Sequence, residues 1–305
     1  MTNKVAVIAV VGRPNVGKST LTNFLIGEKV AIVSPKPQTT RNRIFGVFTF
    51  GSTQMVLLDT PGFHKARTRL GDYMVGVVKN SLADADAIVL MVEPIANVGT
   101  QEEMLMEQIK KARIPAVLII NKIDSVRVES VLPIIDLYSQ RFEFDAIVPI
   151  SAKTGDGVPE LLDALDNYAV DGLPLFPDGM TTDQPEKQII AEIIREKLLL
   201  CLDKEVPHGI AIEVTKFSER VSGDISVESE DSPIIDIDVT VFCEKKSHKG
   251  MIIGKNGLML KKVGQMARED IERFMGAKVF LQTWVKVKEN WRDSKTMIRN
   301  FGYAD

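Results

Sequence analysis

Two cysteines and three histidines in 305 residues leave little room for sulfur or imidazole chemistry. Cys201 and Cys243 stand far apart, and His64, His208 and His248 are scattered. No zinc-ligand spacing or disulfide framework is therefore expected, and the cysteine usage reads as that of a reduced, cytosolic protein. No apolar run approaches the roughly eighteen residues that a bilayer span needs. The run at residues 5–11 leads straight into a glycine loop with no small-residue cleavage site before it, which marks a buried strand and not a signal peptide. Internal repeats and long low-complexity stretches are absent. The net charge is only −3, so the total excludes little about partners.

The distribution of charge is more informative. Residues 244–299 hold fourteen Lys/Arg against six Asp/Glu, about +8, which leaves about −11 on the rest of the chain. Such asymmetry fits either a solvated basic face or a segment that binds a polyanion. With 45% hydrophobic residues, the chain can build a real core in one large or two ordinary domains. Residues 5–11, 54–59, 87–93, 116–121 and 147–150 are short, branched and apolar, as expected of parallel strands buried on both faces. Helical spacing lies between them, at 100–112 and 159–168, and residues 43–50 read as an antiparallel edge strand that turns at Gly51-Ser52. The alternation predicts an α/β, doubly wound, mostly parallel sheet over residues 1–172. The Pro/Gly-rich run at 171–187 reads as a linker, placed at 173–187. A smaller α+β domain with a polar C-terminal tail follows over 188–305. Its expected elements are a helix at 186–202, strands at 210–217 and 234–243, helices at about 247–253 and 258–275, and a strand at 278–287. The acidic stretch 222–232 between the first two strands reads as a hairpin loop.

The glycine loop at residues 12–19, "GRPNVGKS", has the spacing G-x-x-x-x-G-K-S between a strand and a helix-like segment. That is the context of a phosphate-binding P-loop. Gly12, Arg13, Pro14, Asn15, Val16 and Gly17, with Lys18, Ser19 and Thr20, are expected to wrap the phosphates. Lys18 should reach the β- and γ-phosphates, and the Ser19 hydroxyl should ligate Mg2+. "NKID" (Asn121, Lys122, Asp124) selects guanine, because a buried Asp124 can accept from both N–H groups of the guanine edge and would stay unpaired against adenine. "SAK" (Ser151, Ala152, Lys153) can close over the base. In "DTPG" (Asp59, Thr60, Pro61, Gly62), Asp59 would hold Mg2+ through water and the Gly62 N–H would sense the γ-phosphate. In "PQTTRNR" at 37–43 a threonine would complete the metal shell, Thr40 in preference to Thr39, although spacing alone does not choose. Ser19, Thr40 and Asp59 are thus the expected metal site, and Lys18, Thr40 and Gly62 the catalytic set.

These placements resemble the five nucleotide motifs of translation-factor-like small GTPases over residues 4–171. Phe63 follows "DTPG" where Ras-like proteins place a water-orienting glutamine, and a phenyl ring cannot orient water. Slow intrinsic turnover and a timed switch are expected, with the loops around Thr40 and Gly62 ordered by the γ-phosphate.

A second glycine loop, "IIGKNG" at 252–257, lacks the P-loop spacing and lies between helix-like segments inside the basic stretch. Helix–Gly-x-x-Gly–helix is the mark of a KH module, which clamps single-stranded nucleic acid, and the element order is similar to the type II KH fold. Lys245, Lys246, Lys249, Ile252, Ile253, Gly254, Lys255, Asn256, Gly257, Lys261 and Lys262 are the candidate RNA contacts, with Ile252 and Ile253 lining the groove. Lys286 or Lys288 could add to them. Trp284 and Trp291 could stack on bases, but alternation in "VFLQTWVKV" favours core packing for Trp284.

A GTPase domain followed by a type II KH domain resembles the bacterial Era family, as do "AEIIREKLL" (191–199), "WVKVKENW" (284–291) and "RNFGYAD" (299–305). The resemblance covers essentially the whole chain. It implies a monomeric GTPase using GTP/GDP and Mg2+. The implied partners are single-stranded RNA near the 3′ end of 16S-type rRNA and the small ribosomal subunit, whose maturation it would assist. It also implies a cytoplasmic protein with some peripheral contact at the cytoplasmic face of the cell membrane, which composition neither shows nor excludes. The acidic loop is longer than that family's pattern. Two other readings stand beside this one: a P-loop kinase or ATPase, which "NKID" opposes, and an RNA-binding protein whose P-loop is structural only. A GTPase or ATPase acting on another RNA or a non-ribosomal partner is a further variant.

Overall fold

The computed structural model describes residues 3–63, 66, 68–220 and 234–303. It divides into two compact units, 1–184 and 185–305. The acidic segment 222–232 and His64 lie outside the described residues.

The first unit runs β1 (Lys4–Gly12), α1 (Lys18–Ile26), β2 (Ile44–Phe50), β3 (Thr53–Asp59), α2 (Arg69–Ala83), β4 (Ala87–Val92), α3 (Thr100–Ala112), β5 (Ala116–Ile120), α4 (Leu132–Ser139), β6 (Ala146–Pro149), α5 (Val158–Asp166) and β7 (Val170–Asp171). The sheet order is β2-β3-β1-β4-β5-β6. All pairs on this path are parallel except β2 against β3, and β7 adds a short antiparallel pairing to β1. The apolar strand runs follow from burial on both faces. Ala9 and Val11, Val56 and Leu58, and Ile88 and Leu90 enter one core cluster, while Ile8 and Val10, Met55 and Leu57, and Ala87 and Val89 enter the other. Alternate side chains of a strand point to opposite faces, so a strand covered by helices on both sides must be apolar throughout. The carboxyl ends of β1, β3, β4, β5 and β6 meet at one rim, where ligands of open α/β sheets bind.

The segment expected as a linker is tied down for most of its length. Gln54, 3% exposed, accepts at Oε1 from the Leu175 N–H (2.8 Å) and the Phe176 N–H (3.0 Å), and its Nε2 donates to the Phe176 carbonyl (2.8 Å). The Phe176 ring lies 5.9 Å from that of Phe45, and the Val47 N–H donates to the Thr181 carbonyl at 2.8 Å. Residues 173–184 therefore cover the open edge at β2 and belong to the first unit, while Glu186 already begins a helix. Pro and Gly mark irregular backbone, and irregular backbone is not the same as loose backbone.

The second unit runs α6 (Glu186–Cys201), β8 (Ala211–Arg220), β9 (Ile234–Cys243), α7 (Lys246–Ile253), α8 (Leu258–Met275), β10 (Lys278–Val287) and α9 (Lys295–Asn300). The three strands lie in the order β10-β9-β8, with β10 parallel and β8 antiparallel to β9. Ile190, Ile193 and Leu198 of α6 and Val263, Ala267 and Ile271 of α8 share one core with Ile237, Val239 and Val241 of β9. The charges buried on α6 are paired: Arg195 with Glu192, and Lys197 with Glu196 and with Asp270 of α8. Buried charges are tolerated only in such pairs.

The two tryptophans reverse the expectation. Trp291 is wholly buried, donates from Nε1 to the Gly209 carbonyl (2.9 Å) and meets the rings of Phe301 and Tyr303. It cannot stack on a base. Trp284 is 45% exposed. Alternation along β10 identified two faces, but the helices cover the face of Val279 and Val285, not that of Trp284. The expected polar tail is likewise a packed segment carrying α9.

Candidate functional site

The loop between β1 and α1 lies at the sheet's carboxyl rim. Gly17 has φ 110°, and a side chain there would collide with the amide of Asn121, so only glycine fits. Lys18 is buried, and its Nζ donates to the carbonyls of Gly12 (3.1 Å) and Arg13 (2.9 Å). Burial lowers its pKa to about 8, against the opposing pull of Asp59. An ammonium with two fixed acceptors and a third proton to give can meet an incoming phosphate.

The three residues expected to share a metal converge. Ser19 Oγ donates to Asp59 Oδ2 (2.7 Å) and lies 2.9 Å from Thr40 Oγ1. Thr39 instead bonds Ser34 and the Lys36 carbonyl, so the structure puts Thr40, and not Thr39, beside Ser19. Asp59 is fully buried, and its second oxygen, Oδ1, has no hydrogen-bond partner. Burial pushes its carboxyl up to about 6, with Lys18, Ser19 and the Thr60 N–H pulling the other way. One carboxylate and two hydroxyls at one point form a hard-oxygen cluster that fits a small divalent cation. Thr60 anchors the following turn through Oγ1 to the Val10 carbonyl (2.7 Å). A Cβ on Gly62 would lie 2.6 Å from Pro14 Cα, so this turn meets the P-loop backbone to backbone. Phe63 donates its N–H to the Gly12 carbonyl (3.0 Å) and is buried in the core cluster that also holds Val78, Leu82 and Leu90. The ring faces the core and not the cleft.

At the base end, Asn121 joins three segments. Its Nδ2 donates to the Val16 carbonyl (2.7 Å), its Oδ1 accepts from the Ala152 N–H (2.9 Å), and its own N–H donates to the Val92 carbonyl (2.8 Å). Lys122 Nζ donates to the Asn15 carbonyl (2.7 Å) and pairs with Glu93. Asp124 accepts from Ser151 Oγ at 2.8 Å but is exposed, contrary to the expected buried carboxylate. It sits on a short helical turn after β5 at the open mouth of the cleft. Lys153 is also exposed. The sequence reading missed the pair between Arg13 of the P-loop and Glu102, a carboxylate 0% exposed on α3. Nothing local marks it, since the partners lie far apart in sequence.

In the second unit Gly254, at φ 72° and ψ 178°, ends α7, and a short turn at Lys255–Gly257 leads into α8. Lys255 and Asn256 are exposed at its tip. A groove opens beside it, lined by Gly257, Leu260, Lys261, Gln265 and Arg268 from the α8 side and Leu281 and Thr283 of β10. Of the expected contacts, Gly257 and Lys261 line this groove. Ile252 does not: it is 0% exposed in the core, which also holds the neighbouring Ile253. The groove residues of β10 and the far turns of α8 lack a spacing motif and were not foreseen.

Fold and site together define a P-loop GTPase carrying a KH unit. A family described as 50S ribosome-binding GTPase matches residues 7–122, and the KH domain family matches 205–292. GTPase Era of Ruminiclostridium cellulolyticum is 48% identical, with 99% of this chain and 98% of that protein covered. GTPase Era of Caldanaerobacter subterraneus subsp. tengcongensis is 46% identical over 100% and 99%. A crystal structure of Era in complex with MgGDPNP and nucleotides 1506–1542 of 16S ribosomal RNA superposes with a TM-score of 0.92 at 38% identity, covering 99% of this chain and all of the other. A variant of Aquifex aeolicus Era bound to GDP and aluminium fluoride matches equally well. The chain belongs to the Era family of GTPases.

Proposed function

We propose that this chain is a GTP-hydrolysing switch that binds single-stranded RNA at the 3′ end of 16S-type rRNA and assists maturation of the small ribosomal subunit. One observation carries the reading. A single chain joins a guanine-type P-loop cleft to a Gly-x-x-Gly groove, and it matches over its length an Era crystallised with both MgGDPNP and that RNA segment.

In this reading the N–H groups of residues 15–20 and the Lys18 ammonium hold the phosphates, and Asp124 and the 151–153 loop hold the base. Ser19, Thr40 and Asp59 fit Mg2+, whose chemistry is to neutralise charge on the β- and γ-phosphates. Thr40 and the Gly62 N–H report the γ-phosphate, because both sit on loops that abut the P-loop. With Phe63 packed in the core, the attacking water must be aligned by other groups, and hydrolysis by the isolated protein is slow. Lys261 in the groove and Lys255 at the exposed tip of the turn beside it face the RNA phosphates. Among the described residues no helix is long and apolar enough to cross a membrane. We place the protein in the cytoplasm as a monomer, with any membrane contact peripheral.

RNA cross-linked to the full chain in the GTP and GDP states, then sequenced, tests the proposal. Enrichment of the 16S 3′ end in one state is expected. Recovery of unrelated RNA in both states would refute it.

A further inference from the structure

Strand β10 presents two sets of side chains. Val279, Leu281, Val285 and Val287 face the helices. Lys278, Phe280, Gln282, Trp284, Lys286 and, just past the strand end, Lys288 alternate with them and face away. That second set holds three cations, two aromatics and no acid. Trp284 is 45% and Phe280 47% exposed, whereas Trp291 is fully buried. Large aromatics gain most from burial, so two left open on one strand mark a contact surface.

The surroundings distinguish the two rings. Phe280 stands opposite Asp236, whose carboxylate is held by Arg220 (2.6 Å) and Lys216 (3.3 Å), and the Arg220 guanidinium lies 5.4 Å from the Phe280 centroid. That end of the face is already satisfied. Trp284 stands opposite uncharged Thr240, and Lys286 opposite Phe242. No ring or guanidinium of the described residues stacks on Trp284. The open end is therefore an indole next to lysines, the combination that binds unpaired bases by stacking and their phosphates by charge.

β10 is also an edge strand, and its Leu281 and Thr283 line the Gly-x-x-Gly groove. The groove and the Trp284 face thus meet across the width of one strand, roughly 5 Å. Such a groove clamps about four nucleotides, so a longer RNA needs a further contact. We propose that the outer face of β10, centred on Trp284, is a second RNA contact, which stacks a base of the strand leaving the groove while Lys286 and Lys288 take its phosphates. The proposal rests on the reading that the groove holds single-stranded RNA.

The chain has only two tryptophans and Trp291 is buried, so the part of the emission that Trp284→Phe removes comes from the exposed indole and reports on this face. The full chain is titrated with a five-nucleotide RNA and with a twelve-nucleotide RNA containing it, following tryptophan emission and the anisotropy of labelled RNA. The longer RNA is expected to quench the emission. Trp284→Leu should weaken that RNA about tenfold and leave the shorter one unchanged, with Trp284→Phe restoring most of the loss. Lys286→Gln combined with Lys288→Gln should lower the salt slope for the longer RNA by about two. Unchanged affinity of the longer RNA in Trp284→Leu, or its binding without quenching, would overturn the proposal. If neither RNA binds the native chain, the groove reading falls and this one with it. Quenching by GTP alone assigns the face to the chain's first unit, and quenching that grows with protein concentration assigns it to a second copy. Either result overturns RNA as the occupant.

Discussion

Asn121 and Asp124 belong to one four-residue motif, yet the structure gives them different work, and two alanine variants separate it. Asn121 is 2% exposed and bonds the Val16 carbonyl and the Ala152 N–H, both in buried surroundings. Alanine leaves those two backbone groups unpaired at about 1–3 kcal/mol each. Water entering the vacated space favours the lower half of that range, so the loss is about 3 kcal/mol in all. For a unit of this size each kcal/mol moves Tm by about 2–4 °C, so the first unit should melt about 6–12 °C lower. Asp124→Ala removes an exposed carboxylate whose place fills with water, and Ser151 Oγ keeps the Thr154 N–H as a donor. Its cost is below about 1 kcal/mol. GTP affinity should respond instead, falling about a hundredfold or more, since two charge-assisted bonds to the base are worth about 1.5–3 kcal/mol each. Calorimetry of the full chain reads the stability of the first unit, and titration with a fluorescent GTP analogue reads affinity. If Asn121→Ala melts with the native protein, or Asp124→Ala is equally destabilised, the division of labour is refuted.

Three other outcomes follow from the same geometry. Burial raises the Asp59 carboxyl from its ordinary 3.8 to about 6, so the folded state holds that proton more tightly than the unfolded one. Nucleotide-free stability should therefore fall by about 3 kcal/mol as pH rises from about 4 through about 6, and Asp59→Asn should flatten that slope in denaturant titrations. Gln54→Leu leaves the Leu175 and Phe176 N–H groups without their acceptor, and hydrogen exchange at those two amides should quicken by tenfold or more while GTP affinity holds. Lys255→Glu, at an exposed tip, should weaken RNA binding and lower its salt slope by more than one without a change in melting. Gly254→Asp is the poorer probe, because a Cβ at its φ of 72° would lie 2.6 Å from Met259 Cβ and strain the fold itself.

Local chemistry explains which parts were legible beforehand. The P-loop, "DTPG" and "NKID" are short backbone devices whose residues are neighbours in sequence, and the two-sided burial of β1, β3 and β4 leaves an apolar run that needs no partner to be recognised. The Gly-x-x-Gly turn was readable for the same reason. Contacts between distant segments were not. Glu102 beneath Arg13, Gln54 beneath residues 175–176, and the α8–β10 groove each join positions that only the fold brings together. Period-two alternation on β10 showed that Trp284 and Val285 face opposite ways, but not which face the helices would take. Ile252 failed in the converse sense: an apolar residue beside a binding loop was read as groove lining, and the core claimed it.

The segment after β7 shows why composition misleads about looseness. β2 is an edge strand, and an open edge exposes unpaired N–H and C=O groups that must be covered or blunted. The Val47 N–H finds its acceptor in Thr181, and Gln54 reaches the carbonyl of Phe176 and both neighbouring N–H groups. An irregular chain can do this where a strand cannot. Its pairing partners are a backbone amide in one place and a buried side chain in another, without common register, and prolines at 174 and 177 prevent it from pairing as a regular strand. The same residues continue to Gln184, whose Nε2 lies 3.5 Å from the Val30 carbonyl, while β2 begins four residues after Thr40. The segment that leads out of the first unit is thus fastened on both sides of the loop carrying Thr40.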